Sequence, residues 1–102
     1  MLFSDFKSKP YKEISTSLLW EYDLKNFDYQ GMKLLVVQRV IERGRMDDFY
    51  AMLNLYGLEE VIKTLKKIKM LNKKDMNFVS VVFEIPFEEL RCYREQQLTK
   101  SY

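Results

Sequence analysis

Histidine is missing from this 102-residue chain, and cysteine nearly so, Cys92 standing alone. Without histidine there is no Ser–His or Cys–His nucleophile pair, and the commonest ligand of zinc and non-haem iron is gone. One cysteine can neither complete a zinc site nor close an intrachain disulfide, which argues against a secreted, stapled scaffold. The three glycines, Gly31, Gly44 and Gly57, are too scattered to cradle a phosphate in a P-loop or dinucleotide-type turn. Their even spacing is not accompanied by similar sequence, so it marks no repeat. No apolar run is long enough to span a membrane, and none follows the N-terminus as a signal peptide would require. A cytoplasmic location is therefore the expectation, with no membrane, metal or cofactor involved.

Hydrophobic residues make up 47% of the chain and aromatics 15%, while the 31% of charged residues nearly balance to a net +2. A disordered chain shows few aromatics and a large net charge, so this one folds. Its length is that of one domain. Residues 1–15, with Pro10 among scattered aromatics and no period, read as a loosely ordered lead-in. Residues 16–98 read as a single helical domain and 99–102 as a tail.

The fold class expected is all-α, a compact bundle of five to six short helices. Ser15, Thr16 and Ser17 are cap candidates ahead of Leu18, Leu19 and Trp20, a short helix ending near Asp23 or Leu24. Asp28 is a good N-cap for a helix over Tyr29–Arg43, closed by Gly44 as a residue able to take positive φ. The apolar positions there (Met32, Leu34, Leu35, Val36, Val37, Val40, Ile41) are too many for one contact surface, which predicts a central helix touched from two sides. Asp47 and Asp48 open the next helix, where Phe49, Met52, Leu53 and Tyr56 share one face and Gly57 ends it. The helix Leu58–Lys69 turns Leu58, Val61, Ile62, Leu65 and Ile68 inward, with Glu59 and Lys63 at i, i+4. Asn72, with Asp75 three residues on, resembles a capping arrangement for a helix over 73–84 whose polar stripe is only Lys73, Asn77, Ser80 and Glu84. Pro86 suits the first turn of a sixth helix, Phe87 to about Gln97.

Chemistry is sparse in this pattern. The paired carboxylates Asp47–Asp48, Glu59–Glu60 and Glu88–Glu89 each fall in the first turn of an expected helix, where the dipole alone accounts for them. No catalytic residue is assigned and an enzyme is not expected. Trp20 has two readings: a partner anchor, since Trp is enriched at interface hot spots, or a core residue locking the first helix onto the bundle. The second is preferred because large aromatics are usually mostly buried. Arg39 is expected to pair with an acid such as Glu21 or Asp47. Tyr11, Tyr29 and Tyr93 are further candidates for contact with a partner, and Cys92 has nothing beside it but Arg91 and Arg94 to activate it.

Charge is uneven along the chain. Residues 58–74 carry six lysines against Glu59 and Glu60, a local +4 that leaves the remainder at −2. Such a run is either the solvated side of an amphipathic helix or a footprint for nucleic acid or an acidic partner. The nucleic-acid form would be a helix-turn-helix around Asn72, using Lys63, Lys66, Lys67, Lys73, Lys74 and Asn77. Against it, the helix over 73–84 offers a groove only a narrow polar stripe.

Three stretches, Ser17–Asp23, Val40–Gly44 through Tyr56-Gly57, and Leu71–Phe78, together resemble a family of small uncharacterised bacterial proteins. Its pattern is a Leu-Trp-acidic opening, a Glu-Arg-Gly followed by acidic and aromatic residues, a Tyr-Gly, and a Leu-x-x-Lys-x-x-Asn-aromatic segment. The resemblance covers about residues 17–86 and not the lead-in or the tail after Pro86. Members often look like partners encoded beside nucleotidyltransferase-like toxins, so the resemblance implies an antitoxin or accessory role. It supplies no site residues. The expectation is a protein-interaction module with another protein as partner; the alternative is a nucleic-acid-binding regulator using the lysine-rich region.

Overall fold

The computed structural model describes residues 3, 5–8 and 14–94. Pro10, Tyr11, the end of the expected sixth helix and the tail lie outside them. Among the described residues there are no strands, and four helices carry the fold: α1 (Lys33–Arg43), α2 (Met46–Tyr56), α3 (Leu58–Lys67) and α4 (Lys73–Phe83). Short 3₁₀ turns at Phe6–Ser8, Thr16–Leu19, Leu24–Asn26 and Phe87–Glu89 connect or flank them, and a last helical turn occupies 91–94. The all-α reading of the sequence is the observed class.

Helix α1 is central, touching α2, α3, α4 and the Thr16–Leu19 turn. Its Val36, Val37, Val40 and Ile41 are buried on the predicted double face. Leu34 departs from that expectation, standing 45% exposed. The helix also starts later than Asp28. That carboxylate accepts from the Gly31 amide at 3.0 Å and so caps a preceding turn, and the α-helix proper begins at Lys33. Gly44 closes α1 with φ −71°, not the positive φ expected. Space, not backbone handedness, requires glycine here, because a Cβ would stand 2.5 Å from the Val40 carbonyl oxygen. Gly57 does take φ 85° and ends α2 as expected.

Helix α2 buries Phe49, Met52, Leu53 and Tyr56 as its period requires. The N-terminal segment packs on it: Phe3 stacks on Phe49 with centroids 4.8 Å apart, and Phe3, Phe6 and Ile14 all belong to the core. The Tyr56 hydroxyl donates to the Tyr29 carbonyl at 2.7 Å, and burial pushes this phenol up to about 12.

Helix α3 buries Val61 and Leu65, and stops at Lys67 rather than Lys69 because Ile68 turns extended while its side chain enters the core. Lys63 pairs with Glu60 at i, i+3. Asn72 caps α4 as read, its side-chain oxygen accepting from the Asp75 amide at 2.8 Å. The helix ends on Glu84 in the left-handed region at φ 56°, where Ile85 N–H reaches back to the Ser80 carbonyl at 3.1 Å. The continuous sixth helix is corrected: Pro86 starts only a 3₁₀ turn, and extended Leu90, with its side chain drawn fully into the core, separates that turn from 91–94.

Candidate functional site: the Trp20 turn and a cationic cleft

Trp20 is not a core residue. Leu18 and Leu19 are buried instead, which turns the next side chain outward and leaves Trp20 75% exposed. The turn that carries it is tied down on both sides by one guanidinium. Arg39 Nη1 donates to the Leu18 carbonyl at 2.8 Å and its Nη2 contacts Glu21 Oε1 at 2.6 Å. This is the Arg39–Glu21 pair expected from the sequence. The hydrogen bond from Arg39 holds the Glu21 carboxyl below its ordinary range, and the same bond raises the Arg39 guanidinium. A backbone bond from Tyr22 N–H to the Leu19 carbonyl, 3.0 Å, completes the turn. The indole is thus exposed on a backbone that is already ordered.

The aromatics that follow form a strip. Tyr22 meets Phe27 edge-on at 5.4 Å, and Phe27 meets Tyr29 at 4.7 Å. Tyr29 is therefore half-buried in this strip rather than free. Tyr93 lies apart from it, half-buried against Phe87 at 5.2 Å. Tyr11 falls outside the described residues. Of the four aromatic candidates, the structure places Trp20 and Tyr29 on one segment and Tyr93 elsewhere.

The lysines do not act as one uniform face. Lys63 contacts Glu60 at 3.7 Å, and Lys66 contacts Glu89 at 2.8 Å. Glu60 also takes a hydrogen bond from Lys33 at 3.1 Å, which holds its carboxyl below the ordinary range. Lys73, Lys74 and Asn77 are exposed at the start of α4, and Val81, 77% exposed, continues the same outward stripe. Ser80, expected there, is drawn inward and donates to the Ile85 carbonyl at 2.6 Å. Lys67 lines a cleft of about 490 Å³ together with Leu34, Gln38, Lys69, Met70 and Arg91. Leu34 and Met70 carried no signal in the sequence, the first being counted among core positions and the second sitting off-period between Ile68 and Leu71.

Among the carboxylate pairs, Asp48 is structural. It is 1% exposed and accepts from the Ser15 amide, the Ser15 hydroxyl and the Arg45 amide at 2.8, 2.7 and 2.9 Å. A second cleft, about 590 Å³, runs past Lys7, Asn54 and Glu60, yet Asn54 Nδ2 is already bonded to the Phe6 and Tyr50 carbonyls and Glu60 to Lys33. No group of three or more potential metal ligands comes together among the described residues, and no helix there is long and apolar enough to cross a membrane.

No curated protein and no solved structure matches the chain. Residues 14–65 span the Trp20 turn, α1, α2 and most of α3, and this stretch, half of the chain, matches a family of unknown function, DUF6922, to which the chain belongs.

Proposed function

We propose that the chain is a cytoplasmic, non-enzymatic protein-interaction module that docks through the Trp20 turn, in the role of an antitoxin-like partner of a nucleotidyltransferase-type toxin. The observation that carries this reading is the three-quarters exposure of Trp20 on a pinned backbone. An indole is among the largest apolar surfaces a residue can offer, and anchors of this type dominate interface energetics. Because Arg39 fixes Leu18 and Glu21 on either side, binding need not order the turn again, which lowers the cost of association. The choice of a toxin as partner rests on the sequence resemblance given above. Weighing against a catalytic reading, the chain has no histidine, and the described acidic pairs sit at helix starts with Asp48 committed to three donors.

A nucleic-acid reading is favoured by one feature, the outward stripe of Lys74, Asn77 and Val81 on α4. Weighing against it, Glu84 ends that stripe and Lys63 and Lys66 are paired with carboxylates. The protein-binding reading is tested by calorimetric titration of the chain with a nucleotidyltransferase-type toxin. Trp20→Ala should weaken the complex by at least about thirtyfold, a loss of roughly 2 kcal/mol. Its stability should stay within about 0.5 kcal/mol, as for other surface substitutions. An unchanged affinity would remove Trp20 from the interface.

A further inference from the structure

We propose that the cleft between α1 and the α3–α4 connection docks an acidic partner segment, a peptide whose apolar side chains are flanked by carboxylates. The inference rests on the protein-binding reading above but uses a surface separate from the Trp20 turn. Its floor arises from local geometry. Leu34 and Gln38 lie one turn apart on α1 and so share a face. Beyond Lys67 the chain is extended at Ile68, whose side chain is buried, as is that of Leu71. The two residues between them, Lys69 and Met70, are consequently turned outward. Gln38 Nε2 donates to the Met70 carbonyl at 3.2 Å and ties this connection to α1. Met70 is 76% exposed and Leu34 45% exposed, so two large apolar side chains meet solvent in one cleft on a fixed backbone. A thioether adapts its shape to varied apolar partners.

Among the described residues that line the cleft, Lys67, Lys69 and Arg91 carry charge and none is a carboxylate. Elsewhere on α3 the cations are compensated, Lys63 by Glu60 and Lys66 by Glu89. Lys67 and Lys69 form no ion pair among the described residues. A positive rim over an apolar floor attracts carboxylates and rewards burial of an aliphatic group between them. A nucleic-acid backbone would meet the rim but leave Leu34 and Met70 without an apolar partner, which is why a peptide is the occupant inferred.

The test uses fluorescence anisotropy with a fluorescein-labelled helical peptide bearing Leu at i, i+3 and i+7 and Glu at the other positions. Controls are the same peptide with Leu replaced by Ser, the same with Glu replaced by Lys, and a labelled DNA duplex. The acidic apolar peptide should bind with an affinity that falls as salt rises, and the three controls should bind at least about tenfold more weakly. Lys67→Glu with Lys69→Glu, and separately Met70→Ser, should each weaken it about tenfold or more, while Lys63→Gln leaves it unchanged. Circular dichroism should show all variants folded, since these positions face solvent. No binding, binding indifferent to the cleft variants, or a duplex that binds as tightly as the peptide would overturn the inference. Trp20→Ala should not alter peptide affinity. A cleft that fails here while Trp20→Ala still disrupts the toxin complex sinks this inference alone; a cleft that binds while Trp20→Ala leaves that complex intact sinks the Trp20 reading alone.

Discussion

Asp48→Ala is expected to lower the unfolding free energy by roughly 2–4 kcal/mol, because a buried carboxylate that accepts three hydrogen bonds is lost and its neutral donors are left without an acceptor. An ordinary acidic residue in a first helical turn contributes far less, about 0.3–1 kcal/mol through the dipole. Asp48 differs because its carboxylate joins two parts of the chain 33 residues apart, taking the Ser15 amide and hydroxyl on one side and the Arg45 amide on the other. Alanine would leave both amides without their acceptor in a part-buried setting. The latch also fixes the approach to the Thr16–Leu19 turn, so its loss should loosen the segment that presents Trp20. Asp48→Asn keeps the shape but not the charge, and should lose less. Urea denaturation measures both; a loss below about 1 kcal/mol for alanine would reduce Asp48 to a simple cap.

Val40→Asp and Leu53→Asp should each abolish cooperative folding. Both side chains are fully buried, on the faces of α1 and α2 that form the core. A carboxylate placed there is either ionised without a partner or protonated at a cost, and either penalty rivals the whole stability of a domain this size, about 5–15 kcal/mol. Thermal unfolding followed by circular dichroism is the measurement. Wild-type melting in both variants would mean that the inward faces of α1 and α2 are misassigned.

Periodicity made the helices legible, and side-chain chemistry made some of their ends legible too. The i, i+3, i+4, i+7 spacing of Phe49, Met52, Leu53 and Tyr56 admits one reading, and Asn72 three residues before Asp75 is a local signal that needs no tertiary context. What was not legible depends on distant parts of the chain. Asp48 looks like any dipole-complementing acid until Ser15 is brought to it. Residue type makes Asp28 the natural cap of α1, but the aromatic strip through Phe27 and Tyr29 holds the chain in an extra turn before the helix begins. Residue type alone places Trp20 in the core, whereas two buried leucines before it set the direction of its side chain. Gly44 reads in the sequence as a closing residue able to take positive φ, whereas its role in the fold, close approach to the Val40 carbonyl, leaves no trace in a single sequence. The cationic cleft is a product of three separate segments, α1, the end of α3 with its connection to α4, and 91–94, so no local pattern could have announced it.

The central claim, that this chain meets a protein rather than nucleic acid, is tested most directly by anisotropy titration of a labelled DNA duplex at about 150 mM salt, where non-specific binding lies at 10⁻⁴ to 10⁻⁶ M. The wild-type chain should bind no more tightly than that range, and replacing Lys63, Lys66, Lys67 and Lys73 with Gln should change little. Sub-micromolar affinity that falls steeply with salt and disappears in the four-lysine variant would contradict the account and assign the lysine-rich region to nucleic acid.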